Sequence, residues 1–157
     1  MNLLLLTQEQ TQALIAAAIK TIGLPYKFSV ETVGTQDPVA LDCSEAIEFW
    51  YRKAGICVPD GSTNQWDASE PIREHGNDIA AGDLIFTLNR KTGFVNHVAM
   101  AISPTELIEA SGWKGAVVRG GIFEFTRMYL NCHATSRVDP LGWRRFKLDS
   151  VKQIQEV

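Results

Sequence analysis

A chain of 157 residues is sized for one domain with a real core, since folding at that length buries roughly two-thirds of the surface the unfolded chain exposes. Apolar content of 45% and charged content of 21% exclude a disordered or fibrous chain. A formal net charge of -3, with the 15 basic residues scattered, leaves no electrostatic footprint for nucleic acid.

The chain opens on Leu3 to Leu6, but no Lys or Arg precedes Lys20, and the leucine run stops at Thr7, Gln8, Glu9 and Gln10. That stretch lacks the charged region and the continuous apolar region of a signal peptide. Nothing in the sequence is long and apolar enough to span a membrane. The expectation is a chain made in the cytoplasm with no membrane partner, which reaches any extracellular target by lysis, phage delivery or a non-Sec secretion route.

Thr7 and Gln10 form a capping-box pattern, and Ala13, Leu14, Ala17, Ala18 and Ile22 follow at helical spacing, which predicts a first helix ending near Gly23. Pro25, Gly34 and Pro38 break residues 23–41 into an irregular loop, long enough to suggest a functional role. Asp42 then caps a second helix whose first residue is Cys43. Ile47, Trp50, Tyr51 and Ala54 form its apolar face, and Gly55 ends it. A short helix from Thr63 to about Ala68 follows. The remainder reads as strands: 84–88, 95–102, 106–110, 116–119 and a late segment around Trp143 to Lys147. Helices first and an antiparallel sheet afterwards predict a single α+β domain over residues 1–157.

Three cysteines without C-x-x-C spacing argue against both a disulfide framework and a structural zinc site. The three histidines have no metal-binding spacing either, so no metal and no cofactor are expected. Cys43 differs from the other two. The thiolate is the nucleophilic form of cysteine, and a helix N-terminus or a neighbouring histidine favours it. The N–H groups of such a helix start can also hold the oxyanion of a tetrahedral intermediate. Asp42 and Glu45 oppose a thiolate at this position, so a basic partner is required. A cysteine at a helix start equally fits a small buried apolar side chain.

His97 is the candidate partner. It shares a strand face with Ala99 and Ala101, small residues that leave room beside the imidazole. A three-residue loop at 103–105 pairs Ala99 with Glu109 and puts Glu109 on that same face. Diagonal neighbours across such a pair lie about 7 to 8 Å apart, within side-chain reach. A carboxylate there can fix the imidazole's tautomer, completing a nucleophile, base and orienting group. A slip of one residue would turn Glu109 to the opposite face and remove the role. Cys57 and Cys132 read as structural, and His75 as a solvated surface residue. Trp66 and Trp113 are candidates for the wall of a substrate groove, although core packing is the commoner use of Trp.

Five segments resemble the NlpC/P60 papain-like cysteine peptidases in order and spacing: Leu24-Pro25-Tyr26, Asp42-Cys43-Ser44, Ala81-Gly82-Asp83-Leu84-Ile85-Phe86, Asn96-His97-Val98-Ala99-Met100 and Leu107-Ile108-Glu109-Ala110-Ser111. The resemblance implies a papain-like fold with N-terminal helices packed on a central antiparallel sheet. It also implies Cys43 as nucleophile, His97 as base and position 109 as the polar third member. Tyr26, Asp42 and Ser44 match substrate-binding positions, and the implied partners are peptidoglycan stem peptides, often cut between D-glutamate and a diamino acid.

The sequence departs from the family in three places. Glu45 stands where the family usually has glycine, and Glu109 stands where histidine is common, which is similar to the CHAP amidase/peptidase domains. The aromatic-Gly-Gly that usually follows the tyrosine is replaced by a longer loop. Readings that compete with a stem-peptide endopeptidase are therefore a CHAP-like N-acetylmuramoyl-L-alanine amidase, a noncatalytic wall-binding or phage structural module, and an acyl transferase or deamidase built on the same residues.

Overall fold

A computed structural model of the chain describes residues 2–32, 37–131 and 133–154. Gly34 and Cys132, both singled out in the sequence, lie outside the described residues.

Helix α1 (Gln8–Lys20) begins where the capping box places it. Thr7 accepts from the Gln10 N–H, and the Gln10 side chain accepts from the Thr7 N–H. Helix α2 (Cys43–Lys53) is capped by Asp42 and buries Ile47, Trp50 and Tyr51 completely. Two polar anchors fix its depth. Trp50 donates its indole N–H to Thr21 Oγ1 at 3.0 Å, and the Tyr51 hydroxyl donates to the Gly82 carbonyl at 2.6 Å. Gly82 has φ +95°, and a Cβ there would meet the Tyr51 oxygen at 2.7 Å, so only glycine allows this approach. The adjacent Asp83 is held by Arg145 at 2.7 and 2.8 Å, which gives the Gly-Asp-Leu-Ile-Phe motif a structural use.

After β1 (Ile56–Cys57) and α3 (Ser62–Asp67) come β2 (Ser69–Pro71), β3 (Leu84–Asn89), β4 (Val95–Ala101), β5 (Glu106–Ser111) and β6 (Ala116–Gly121). Helix α4 (Ile122–Asn131), β7 (Ser136–Val138), β8 (Arg144–Phe146) and β9 (Lys152–Gln153) complete the order. The main sheet runs β2-β8-β3-β4-β5-β6, antiparallel throughout, with β7 also on β3 and a separate β1–β9 pair.

Strand alternation divides the core in two. Leu84, Phe86, Val98, Met100 and Ile108 face α1 and α2, whereas Ile85, Ala99 and Leu107 face Phe125 and Tyr129 of α4. No helix among the described residues is long and apolar enough to cross a membrane.

Two expectations need correction. The chain beyond residue 68 is not all strand: residues 122–131 form α4, because Ile122, Phe125 and Tyr129 recur at helical spacing and cover the second face of the sheet. The abundance of aromatic and β-branched residues there masked that period. Cys57 is exposed rather than in the core, since the extended backbone of β1 turns Ile56 inward and the next side chain outward.

Candidate active site

The first turn of α2 is built by Asp42. Its backbone is extended and its carboxylate accepts from the Glu45 N–H at 2.8 Å, while its carbonyl accepts from the Ala46 N–H at 3.0 Å. Cys43 is therefore the first helical residue, a free, half-buried thiol. The N–H groups of Cys43 and Ser44 are those a helix start leaves without an intrahelical acceptor, and they can receive a developing oxyanion.

The β4–β5 register delivers the second group. Met100 pairs with Ile108 and Ala101 with Leu107, which sets Ala99 opposite Glu109 as the three-residue loop predicts. His97 Nε2 and Glu109 Oε1 are 2.8 Å apart, with side chains 13% and 6% exposed. Nε2–H thus donates to the carboxylate, and Nδ1 is the nitrogen left for Cys43, which also hydrogen-bonds His97. Burial alone would push the imidazole down. The hydrogen bonds to Cys43 and Glu109, followed by their negative charge, overcome that effect and raise it to about 10. Phe125 stacks on the His97 ring with centroids 6.4 Å apart, so α4 closes the imidazole's other side.

Asp42, Cys43 and Ser44 open into a cleft of about 340 Å³ whose other walls are Tyr26, Phe28, residues 61–64 and Asn96. Tyr26 is placed by two strands of contact. Its N–H donates to the Gly115 carbonyl, and it bridges to Leu41 just ahead of the cap. Burial, then the charges of Cys43 and Asp42, push its phenol up to about 12, so it remains a hydrogen-bond donor. A Cβ on Gly112 would touch the Tyr26 ring at 3.4 Å, so the missing side chain sets how close the ring can lie.

Trp113 does not line this cleft. It is 66% exposed and packs edge-on against His133. Trp66 serves the framework, donating to Asp139 at 2.8 Å beneath the Arg144 guanidinium. His133 Nδ1 accepts from the Thr135 and Ser136 N–H groups, and His75 is exposed as expected.

Sequence reasoning did not reach several neighbours of the site. Phe28 is 79% exposed at the cleft, two residues beyond Tyr26. Asn96 stands beside His97, fixed by Thr87 at 2.6 Å and Ser136 at 2.8 Å. Tyr129 is a buried phenol pushed up by burial and by the charges of Glu109 and Cys43. Its partners come from elements distant in sequence, so no local pattern announces it. Glu45, Glu48 and Asp60 bring three carboxylates within 4.8 Å of one another and are the one such group of potential metal ligands among the described residues. Burial, followed by Asp60 and Glu45, pushes Glu48 up to about 10.

A helix-borne cysteine, a strand histidine and an orienting carboxylate at the mouth of one cleft have the form of a thiol hydrolase. The NlpC/P60 family model matches residues 23–135, and the chain belongs to that family. Among curated relatives, the bifunctional muramidase/DL-endopeptidase CwlT of Bacillus subtilis is 31% identical over 75 residues, 48% of this chain and 21% of the relative. The "Probable endopeptidase p60" of Listeria innocua is 31% identical over 98 residues, 62% of this chain and 19% of the relative. The chain thus spans about a fifth of the length of either. A solved NLP/P60 family structure from Staphylococcus aureus, similar to lipoprotein, superposes with TM-score 0.67 at 27% identity, over 92% of this chain and 44% of that one. The shared fold is the α+β arrangement described above.

Proposed function

We propose that these 157 residues act as one catalytic domain of a cysteine peptidase that cuts an amide bond in the peptidoglycan stem peptide, between D-glutamate and a diamino acid. The observation that carries this reading is His97 held between Cys43 and Glu109 at the mouth of α2.

The Cys43 sulfur attacks the amide carbonyl while His97 holds the proton. The oxyanion forms against the Cys43 and Ser44 N–H groups, where fixed donors outperform water because they need no reorganisation. His97 then gives its proton to the departing amine, and the C–N bond breaks to leave a thioester. Water attacks the thioester as His97 takes its proton. The carboxylic acid departs, and the proton on His97 restores the resting pair. Glu109 keeps Nε2 protonated throughout, so Nδ1 is the nitrogen that exchanges protons with sulfur and substrate. Tyr26, Asp42 and Ser44 line the cleft where a stem peptide would lie, and Asp42 offers a negative charge to its amino end. The place of action is the cell wall, reached by lysis, phage delivery or a non-Sec route.

A second reading, a CHAP-like amidase cutting between N-acetylmuramic acid and L-alanine, is favoured by one feature: Glu109 as the orienting group. Mass spectrometry of peptidoglycan digested with the protein separates the two. Fragments ending in D-glutamate support the endopeptidase, and free intact stem peptides support the amidase. Identical products from wild type and Cys43→Ala would overturn both and leave a noncatalytic module.

A further inference from the structure

Three carboxylates gather beside α2. Glu45 and Glu48 lie on α2, and Asp60 immediately precedes the 61–64 wall of the cleft. One oxygen from each lies within 4.8 Å of the other two. Glu45 and Glu48 are buried, while Asp60 is exposed, so the group has one open side.

Their hydrogen bonding is uneven. Glu45 Oε1 accepts from the Thr32 N–H at 2.8 Å and from the Thr32 hydroxyl, whose oxygen also receives a donation from Arg52. Glu48 has no such relief. It is only 8% exposed, its Oε2 is fully buried, and that oxygen finds no hydrogen-bond partner. None of the described ion pairs reaches any of the three. Burial and the two neighbouring carboxylates hold Glu48 protonated at neutral pH, its proton shared with Asp60 and Glu45, and a ligand that brings positive charge takes that proton's place.

We infer that Glu45, Glu48 and Asp60 form a binding site for a hard divalent cation, calcium above all, in which Glu48 is the buried ligand and Asp60 the solvent-side one. The set is all oxygen, which suits calcium or magnesium and not zinc or copper. Calcium fits better. It accepts irregular oxygen sets and fills the remaining positions with water on the open side, whereas magnesium demands near-octahedral geometry.

The site has a mechanical consequence. Glu45 stands two residues beyond Cys43 and grips Thr32, while Asp60 leads into Gly61 and Ser62 at the cleft. A bound cation ties the first turns of α2 to the α3 side of the cleft and fixes the width between them. The cation takes no part in bond breaking.

Isothermal titration of the full chain with calcium, alongside thermal unfolding with and without it, tests the site directly. Expected are saturable binding at a concentration on the order of millimolar or below, a raised Tm, and a weaker response to magnesium. Glu48→Gln keeps the shape of the side chain while removing the carboxylate that the ion would bind, and should abolish both effects. Asp60→Asn, at an exposed position where folding is undisturbed, should weaken binding about tenfold or more. Absence of saturable binding to wild type would overturn the inference. So would calcium binding that is unchanged in both variants, since it would then belong to scattered surface carboxylates. Both readouts are independent of catalysis, so they stand or fall apart from the cleavage reaction.

Discussion

Two acidic sites, one on β5 and one beside α2, differ in one respect. Glu109 is matched by an imidazole 2.8 Å away, which is itself matched by a sulfur, so one cation is held between two anionic partners. Glu45, Glu48 and Asp60 gather with no cationic side chain among the described ion pairs. Burial acts in both places, and Glu48 keeps a proton of its own, but only the first site holds its proton on a base beside a nucleophile. A buried carboxyl by itself therefore does not mark a reaction centre. A titratable group held between two partners of opposite charge does.

The largest change is expected from Cys43→Ala, which removes the reacting atom: hydrolysis of peptidoglycan should fall by about 10⁴-fold or more with the fold intact by circular dichroism. Glu109→Gln comes next. The amide keeps a hydrogen bond but can present its NH₂ to Nε2 and reverse the tautomer, so kcat should drop by about 10² to 10⁴-fold with KM little changed.

The third expectation concerns pH. His97 binds its proton more tightly in the folded chain, about 10 against 6.5, so its contribution to stability is complete below 6.5 and is lost as pH rises through 10. Activity should decline over the alkaline end of the same window, and Glu109→Gln should shift that decline to lower pH. A pH profile of kcat/KM on a soluble stem-peptide substrate measures both. The smallest effect is expected from Gly112→Val, which presses on the Tyr26 ring and should raise KM a few-fold, about 1 kcal/mol, with kcat nearly unchanged.

Legibility in the sequence followed the range of the interactions. Both long N-terminal helices could be read because their caps are local: Thr7 with Gln10, and Asp42 with Glu45. The His97–Glu109 pair was also legible, since a three-residue loop between alternating strands fixes register and hence which side chains share a face. Helix α4 was not, because its aromatic residues suit a strand and its helical spacing matters only once the sheet's second face needs covering. The acidic group was missed for a related reason. Glu45 reads locally as part of a helix cap, and only the return of the chain at Asp60 gives it a second role. Trp113 shows the same limit, since its neighbour His133 comes from a segment distant in sequence and no local pattern announces that contact.

The most direct test of whether Cys43 and His97 act as one unit is the rate of Cys43 alkylation by iodoacetamide at pH 6, followed by peptide mass spectrometry so that Cys57 serves as the internal exposed thiol. Cys43 should react well ahead of Cys57 in the wild type and lose that lead in His97→Ala. Equal rates for the two cysteines in the wild type would contradict the pairing on which the proposed chemistry depends.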